Sequence, residues 1–175
     1  IDALVTQLTN GAQTYDADGA IGMNGAVNYD LLNDLMTDPY LDEAPPKTTG
    51  REYYGSAMVE AILEKHPLDA NLITTITAFT AHSIADAYRR WLPELPDEVY
   101  VNGGGARNPL LMRMIADALD GIPVRSTDDL GISADAKEAV LIALIAHDSL
   151  AGYPTNIPGA TGAERAVSLG NVTKL

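Results

Sequence analysis

The eleven residues Val99-Tyr100-Val101-Asn102-Gly103-Gly104-Gly105-Ala106-Arg107-Asn108-Pro109 constrain this chain more than any other stretch. A β-rich run stops at three glycines, and an amphipathic segment, Leu110 to Leu119, starts at once. That order predicts strand, glycine turn, helix. Such a turn has no side chains to block close approach, and the helix behind it presents unpaired N–H groups. Asn108 suits the N-cap and Pro109 the first helical position. A junction of this kind can hold a nucleotide against backbone. It is not a dinucleotide fingerprint, because G-x-G-x-x-G would need glycine where Asn108 stands. It is not a P-loop, because no G-K-[ST] follows. By itself it leaves two readings open, a ligand cradle and a tight strand–helix joint.

The neighbouring pattern is α/β. A strand over Glu98–Asn102, the helix Pro109–Leu119 and a second strand over Ile122–Arg125 make a strand–helix–strand crossover with two parallel strands expected. Upstream the chain is helical. Helices are expected over Asp2–Leu8, Tyr29–Met36 with Asn28 as cap, Gly55–Lys65, and Asp69–Leu92. The last carries Leu72, Ile73, Ile76, Phe79, Ile84, Ala87 and Trp91 near a 3.6 period. Thr74, Thr75, Thr77 and Thr80 are unusual there, since β-branched residues lower helix propensity, and they fit a close helix contact or a polar cleft. His82 belongs on a flank of this helix, as a structural residue. Downstream, Ser133 reads as the N-cap of a helix over Ala134–Leu150, with Asp135 in its first turn. The run Ala139 to Ala146 is apolar all round, which implies burial on most sides.

The chain has 175 residues, 46% of them hydrophobic, which suits one domain or a large piece of one. Its net charge of −13, from 24 acidic and 11 basic residues, repels phosphate backbones and argues against a nucleic-acid partner. No apolar run reaches about 18 residues, so no membrane span is expected. The absence of Cys excludes disulfides and thiolate metal sites and is compatible with a cytoplasmic setting. His66, His82 and His147 are too dispersed to argue for a metal site. The segment with Asp16, Asp18 and Gly19 has the spacing that opens a calcium loop but lacks the further ligands, and reads as a turn.

Two other places carry candidate chemistry. Lys47-Thr48-Thr49-Gly50-Arg51-Glu52 puts two cations, two hydroxyls and a glycine in a loop before a helix, after the irregular stretch of Pro39, Pro45 and Pro46. Those groups could hold an anion, or the cations could pair with Glu43 or Glu52. Glu138 lies one turn before Ile142 on the apolar helix. It either caps backbone or is aimed at something outside, and the residues leave both open.

Several stretches resemble the anhydro-N-acetylmuramic acid kinases, of the sugar kinase, Hsp70 and actin superfamily. They are Pro45-Pro46-Lys47-Thr48-Thr49-Gly50-Arg51-Glu52, Asn102 through Met112, Thr127-Asp128-Asp129-Leu130-Gly131-Ile132, Asp135-Ala136-Lys137-Glu138-Ala139, Asn156 through Ala163, and Ser168-Leu169-Gly170. The resemblance runs from about residue 1 to the end. It implies a fold in which two related α/β lobes of the actin-like, ribonuclease H-like kind close on ATP, a divalent metal taken as Mg2+, and 1,6-anhydro-N-acetylmuramic acid. The reaction it implies opens the anhydro bridge with water and phosphorylates the 6-oxygen, in recycling of the bacterial cell wall.

By the same resemblance, residues 1–152 are part of the second lobe and 153–175 an extended tail. The first lobe and the D-T-G-P-G-N segment, with the main catalytic aspartate, would lie upstream of Ile1. Gly103, Gly104, Gly105 and Asn108 correspond to the adenosine motif, and Glu138 to a carboxylate facing the substrate. Lys47 and Arg51 correspond to residues that order the region between the lobes or meet the lactyl carboxylate. A homodimer is expected when the protein is complete. The alternative is a non-catalytic nucleotide-binding or dimerisation domain derived from a sugar kinase.

Overall fold

The computed structural model describes residues 1–173. The expected extended tail therefore has its last two positions, 174 and 175, outside the described residues.

Helix α5 (Ala70–Trp91, 22 residues) is the spine. Asp69, expected as the first helical residue, is instead the N-cap and accepts the Leu72 N–H at 2.9 Å. One end of α5 packs with α1 (Asp2–Leu8), α2 (Tyr29–Leu35) and α4 (Ser56–Leu63). Leu4, Val5, Leu31, Ile62, Leu72, Ile73 and Ile76 form the core there. The other end packs against α6 (Pro109–Ala118) and strands β1 (Val99–Val101) and β2 (Val124–Ser126), through Ala81, Ala85, Val99, Leu111, Ile115 and Leu119. Burying such side chains contributes roughly 1.5–3 kcal/mol for each large one. Asn28 caps α2 through the Leu31 N–H at 3.1 Å. Trp91, expected on the apolar face, is partly exposed at the end of α5, where the chain turns away into Pro93.

Of the threonines of α5, Thr74 and Thr75 make a close contact, whereas Thr80 lines a cleft. Thr74 Oγ1 lies 2.6 Å from Gly22 O and 2.7 Å from Ala70 O. Thr75 Oγ1 donates to Asn71 O at 2.7 Å and accepts the Asn28 N–H at 2.9 Å. The segment 22–28 thus lies directly on the helix backbone. Gly25 is required for that approach, since a Cβ there would stand 2.3 Å from both Ala70 O and Thr74 Oγ1.

The sheet is the expected parallel pair, with Val99 opposite Val124 and Val101 opposite Ser126. The second strand begins two residues later than expected: Pro123 accepts the Val99 N–H but has no N–H of its own for the ladder, and Ile122 packs into the core beside α6. The whole is a helix-rich α/β fold.

Three expectations fail here. The stretch after residue 36 is not wholly irregular: Asp38 accepts the Tyr40 N–H at 2.9 Å and starts the short helix α3 (Pro39–Asp42). Ser133 does not cap the next helix with its side chain. The Ala134 N–H goes to Asp128 Oδ1 and Ala134 O accepts the Gly103 N–H, so residues 134–136 are drawn toward the glycine turn. Helix α7 therefore starts at Lys137 and runs to Ala151. Its apolar faces are not buried either. Ile142 is 64% exposed and Leu150 74% exposed, and α7 has no buried residue. Hydropathy marks this helix as one to be covered, and the described residues leave most of its apolar surface open. The described part of the tail after Gly152 is irregular apart from the short α8 (Pro158–Thr161), which ends on left-handed Gly162.

Candidate functional site

The glycine turn follows β1 directly and forms a single 3-10 turn over Gly104–Arg107. Gly103 has φ 74 and ψ −169, a region that essentially only glycine enters. Gly104 and Gly105 need no such freedom, as neither has a positive φ. What they supply is space. A Cβ at Gly104 would meet no atom within 4 Å, and one at Gly105 only Leu111 Cδ2 at 3.4 Å. The turn is open on its outer side, where a flat ring or a sugar can approach the backbone.

Asn108 accepts the Leu111 N–H at 3.0 Å and is buried. Its carbonyl oxygen serves the start of α6, which fixes the turn's angle to that helix.

Opposite the turn lies a cleft of about 640 Å³, lined by Ile1, Asp2, Thr14, Tyr15, Asp16 and, from the turn side, Gly104, Gly105, Arg107, Asn108 and Leu111. The facing loop is rigid because buried Asp16 accepts the Ile21 N–H at 2.8 Å and the Gly22 N–H at 3.0 Å. Both carboxylate oxygens point inward, so the calcium-like spacing builds a turn. Among the described residues no group of three or more His, Asp or Glu could hold a metal.

Tyr15 and Arg107 are cleft residues that sequence reasoning passed over. Tyr15 stands exposed beside the turn. Arg107 forms a two-pronged pair with Asp135, Nε reaching Oδ1 at 3.1 Å and Nη2 reaching Oδ2. The pair holds the guanidinium above its already high range. Arg107 sits inside the glycine motif itself, and Tyr15 next to the acidic turn; an aromatic beside a loop aspartate was the available signal.

Glu138 is exposed and makes no capping hydrogen bond, contrary to its expected place on a buried face. Of the two readings, the cap is not made. The residues just before it are joined to the turn, through Arg107–Asp135 and Gly103–Ala134. The structure thereby brings the start of α7 to the glycine turn.

Lys47 and Arg51 lie apart from the turn. Lys47 Nζ donates to Tyr40 O at 2.8 Å and Leu41 O at 3.1 Å, and sits 4.6 Å from the centre of the Tyr40 ring. Its charge therefore holds the end of α3 and pairs with neither Glu43 nor Glu52. Arg51 is exposed and lines a second cleft of about 750 Å³ with Tyr54, Ser56 and Thr80. Burial, with the Asp38 carboxylate nearby, pushes the Tyr54 phenol up. Ile1, Asp2 and Thr14 line both clefts, so the two meet at the start of α1.

Comparison with known proteins places the sequence in a family. The family model for anhydro-N-acetylmuramic acid kinase matches residues 1–174. Similar curated proteins carry that name. One from Picosynechococcus is 40% identical over 98% of this chain and 47% of its own length. One from Trichormus variabilis is 42% identical over 98% of this chain and 45% of its own. One from Caldanaerobacter subterraneus is 37% identical over 99% of this chain and 45% of its own. The chain spans about half the length of the curated relatives it matches.

Proposed function

The chain belongs to the anhydro-N-acetylmuramic acid kinase family, and from that premise we propose that it supplies the nucleotide-holding part of an ATP-dependent kinase. The substrate is 1,6-anhydro-N-acetylmuramic acid and the product N-acetylmuramic acid 6-phosphate, in recycling of peptidoglycan in the cytoplasm. Residues 1–152 are then part of the second lobe of an actin-like fold and 153–175 its tail. The observation that carries this reading is the match over nearly the whole chain, with the open glycine turn inside it.

The roles divide as follows. Gly103 sets the turn's backbone, and Gly104 and Gly105 leave room for the base and ribose of ATP. Asn108 holds the helix start behind them. Glu138, exposed at the start of α7, orients the sugar or its attacking water. Arg51 meets the lactyl carboxylate, and Lys47 acts by holding the end of α3. The main catalytic aspartate belongs to the part of the family's chain that precedes Ile1. Phosphoryl transfer depends on positioning and charge stabilisation more than on covalent chemistry. A Mg2+ carried on the phosphates of ATP needs only one or two protein carboxylates beside them, and we route no step through it.

The test uses the full-length protein and the 175-residue chain, each with ATP and the anhydro sugar, and measures ADP. Sugar-dependent ADP release is expected from the full-length protein and not from the chain alone. A full-length protein that releases no sugar-dependent ADP refutes the proposal.

A further inference from the structure

We propose that α7 is an internal docking helix, sheathed in the complete protein by the half of the polypeptide that lies outside these 175 residues. The inference rests on the family reading for the size of that half and on the structure for the surface.

Residues Ala139, Val140, Leu141, Ile142, Ala143, Leu144, Ile145 and Ala146 follow one another without a polar side chain. At about 100° of turn for each residue, eight positions go round the helix twice, so no side of its middle is polar. The charged residues Lys137, Glu138 and Asp148 lie toward its ends. Yet Val140 and Leu141 are about half exposed, and Ile142 and Leu144 more so. The tail meets its far end, where the Ser149 hydroxyl donates to Leu169 O.

Geometry selects the occupant. A second copy pairing helix to helix would cover one stripe of each α7 and leave the other sides wet. A helix apolar on every side needs to be enclosed. The relatives offer a body large enough, since this chain accounts for only 47% of the Picosynechococcus protein while matching 98% of itself. Enclosing α7 also fixes the start of the helix, where Glu138 stands with no partner among the described residues. The docking surface and the proposed sugar-facing carboxylate are thus two parts of one element.

The experiment places a benzoylphenylalanine photo-crosslinker at position 142, and separately at 144 and 145, in the full-length protein. Alongside it, hydrogen exchange compares the amides of residues 140–147 in the unmodified full-length protein and in the 175-residue chain. The expected result is crosslinks within one polypeptide, to residues preceding Ile1, from all three positions. The same amides should exchange about a hundredfold or more slowly in the full-length protein. Crosslinks that join two copies overturn the proposal in favour of a dimer surface. Equal exchange in the two proteins overturns it in favour of a helix left in water. Neither readout involves turnover, so a failed kinase assay and a failed docking surface are told apart.

Discussion

Two adjacent glycines separate a backbone requirement from a ligand requirement. Gly103 occupies φ 74, ψ −169, where a side chain is strained whatever the space around it. Gly103→Ala should therefore cost about 1–3 kcal/mol of folding free energy. Gly104 is one residue away, has no positive φ, and would place a Cβ in open space. Gly104→Val should leave stability within about 0.5 kcal/mol of the parent. It fills the outer face of the turn, and a nucleotide held there loses its approach to backbone. Affinity for ADP should fall at least about tenfold, or about 1.4 kcal/mol. The assay is urea denaturation of both variants of the full-length protein, with calorimetric titration of ADP. The reasoning is refuted if Gly104→Val unfolds as easily as Gly103→Ala while binding ADP normally. That outcome would make the turn a strand–helix joint and nothing more.

The other predictions use the same protein. Glu138→Gln should leave the urea midpoint unchanged, because the side chain is exposed and caps nothing, while turnover drops about a hundredfold or more; normal turnover would remove Glu138 from the site. Asp16→Ala should lose about 1–3 kcal/mol, since one buried and one part-buried backbone N–H group are left without a partner; a midpoint within error of the parent would show that water replaces the carboxylate. The Ala134 N–H and the Ser126 hydroxyl hold the Asp128 carboxyl below its usual range. With a folded pKa below the unfolded one, its contribution is present above the unfolded value near about 4 and is lost as pH falls through the folded value. Melting curves from about pH 5 to about pH 2 should therefore fall more for the parent than for Asp128→Asn, and parallel curves would contradict the assignment.

Features decided within a few residues were legible. Asn28 and Asn108 each accept an N–H three positions on, so cap and helix start could be read together. The parallel pair followed from the apolar runs on either side of α6. Lys47 was not legible, because its partners are the carbonyls of Tyr40 and Leu41, and a carbonyl has no residue type. The late start of α7 depends on Asp128 and Gly103 reaching residue 134 from outside the helix. Its exposure shows what hydropathy encodes: the need for a cover, with no statement of where the cover lies. In the site, the glycines announced themselves by type. Tyr15 became a candidate only when the chain brought its loop across from the turn.

The bonds from Gly103 to Ala134 and from Arg107 to Asp135 have a thermodynamic consequence. The wall of the cleft and the root of α7 are one strut, and a force on either end is felt at the other. If filling the cleft tightens the grip on α7 by some factor, then gripping α7 tightens the cleft by that same factor, because a coupling free energy has no preferred direction. Closure of the complete protein and retention of its nucleotide would then be a single equilibrium observed from two sides.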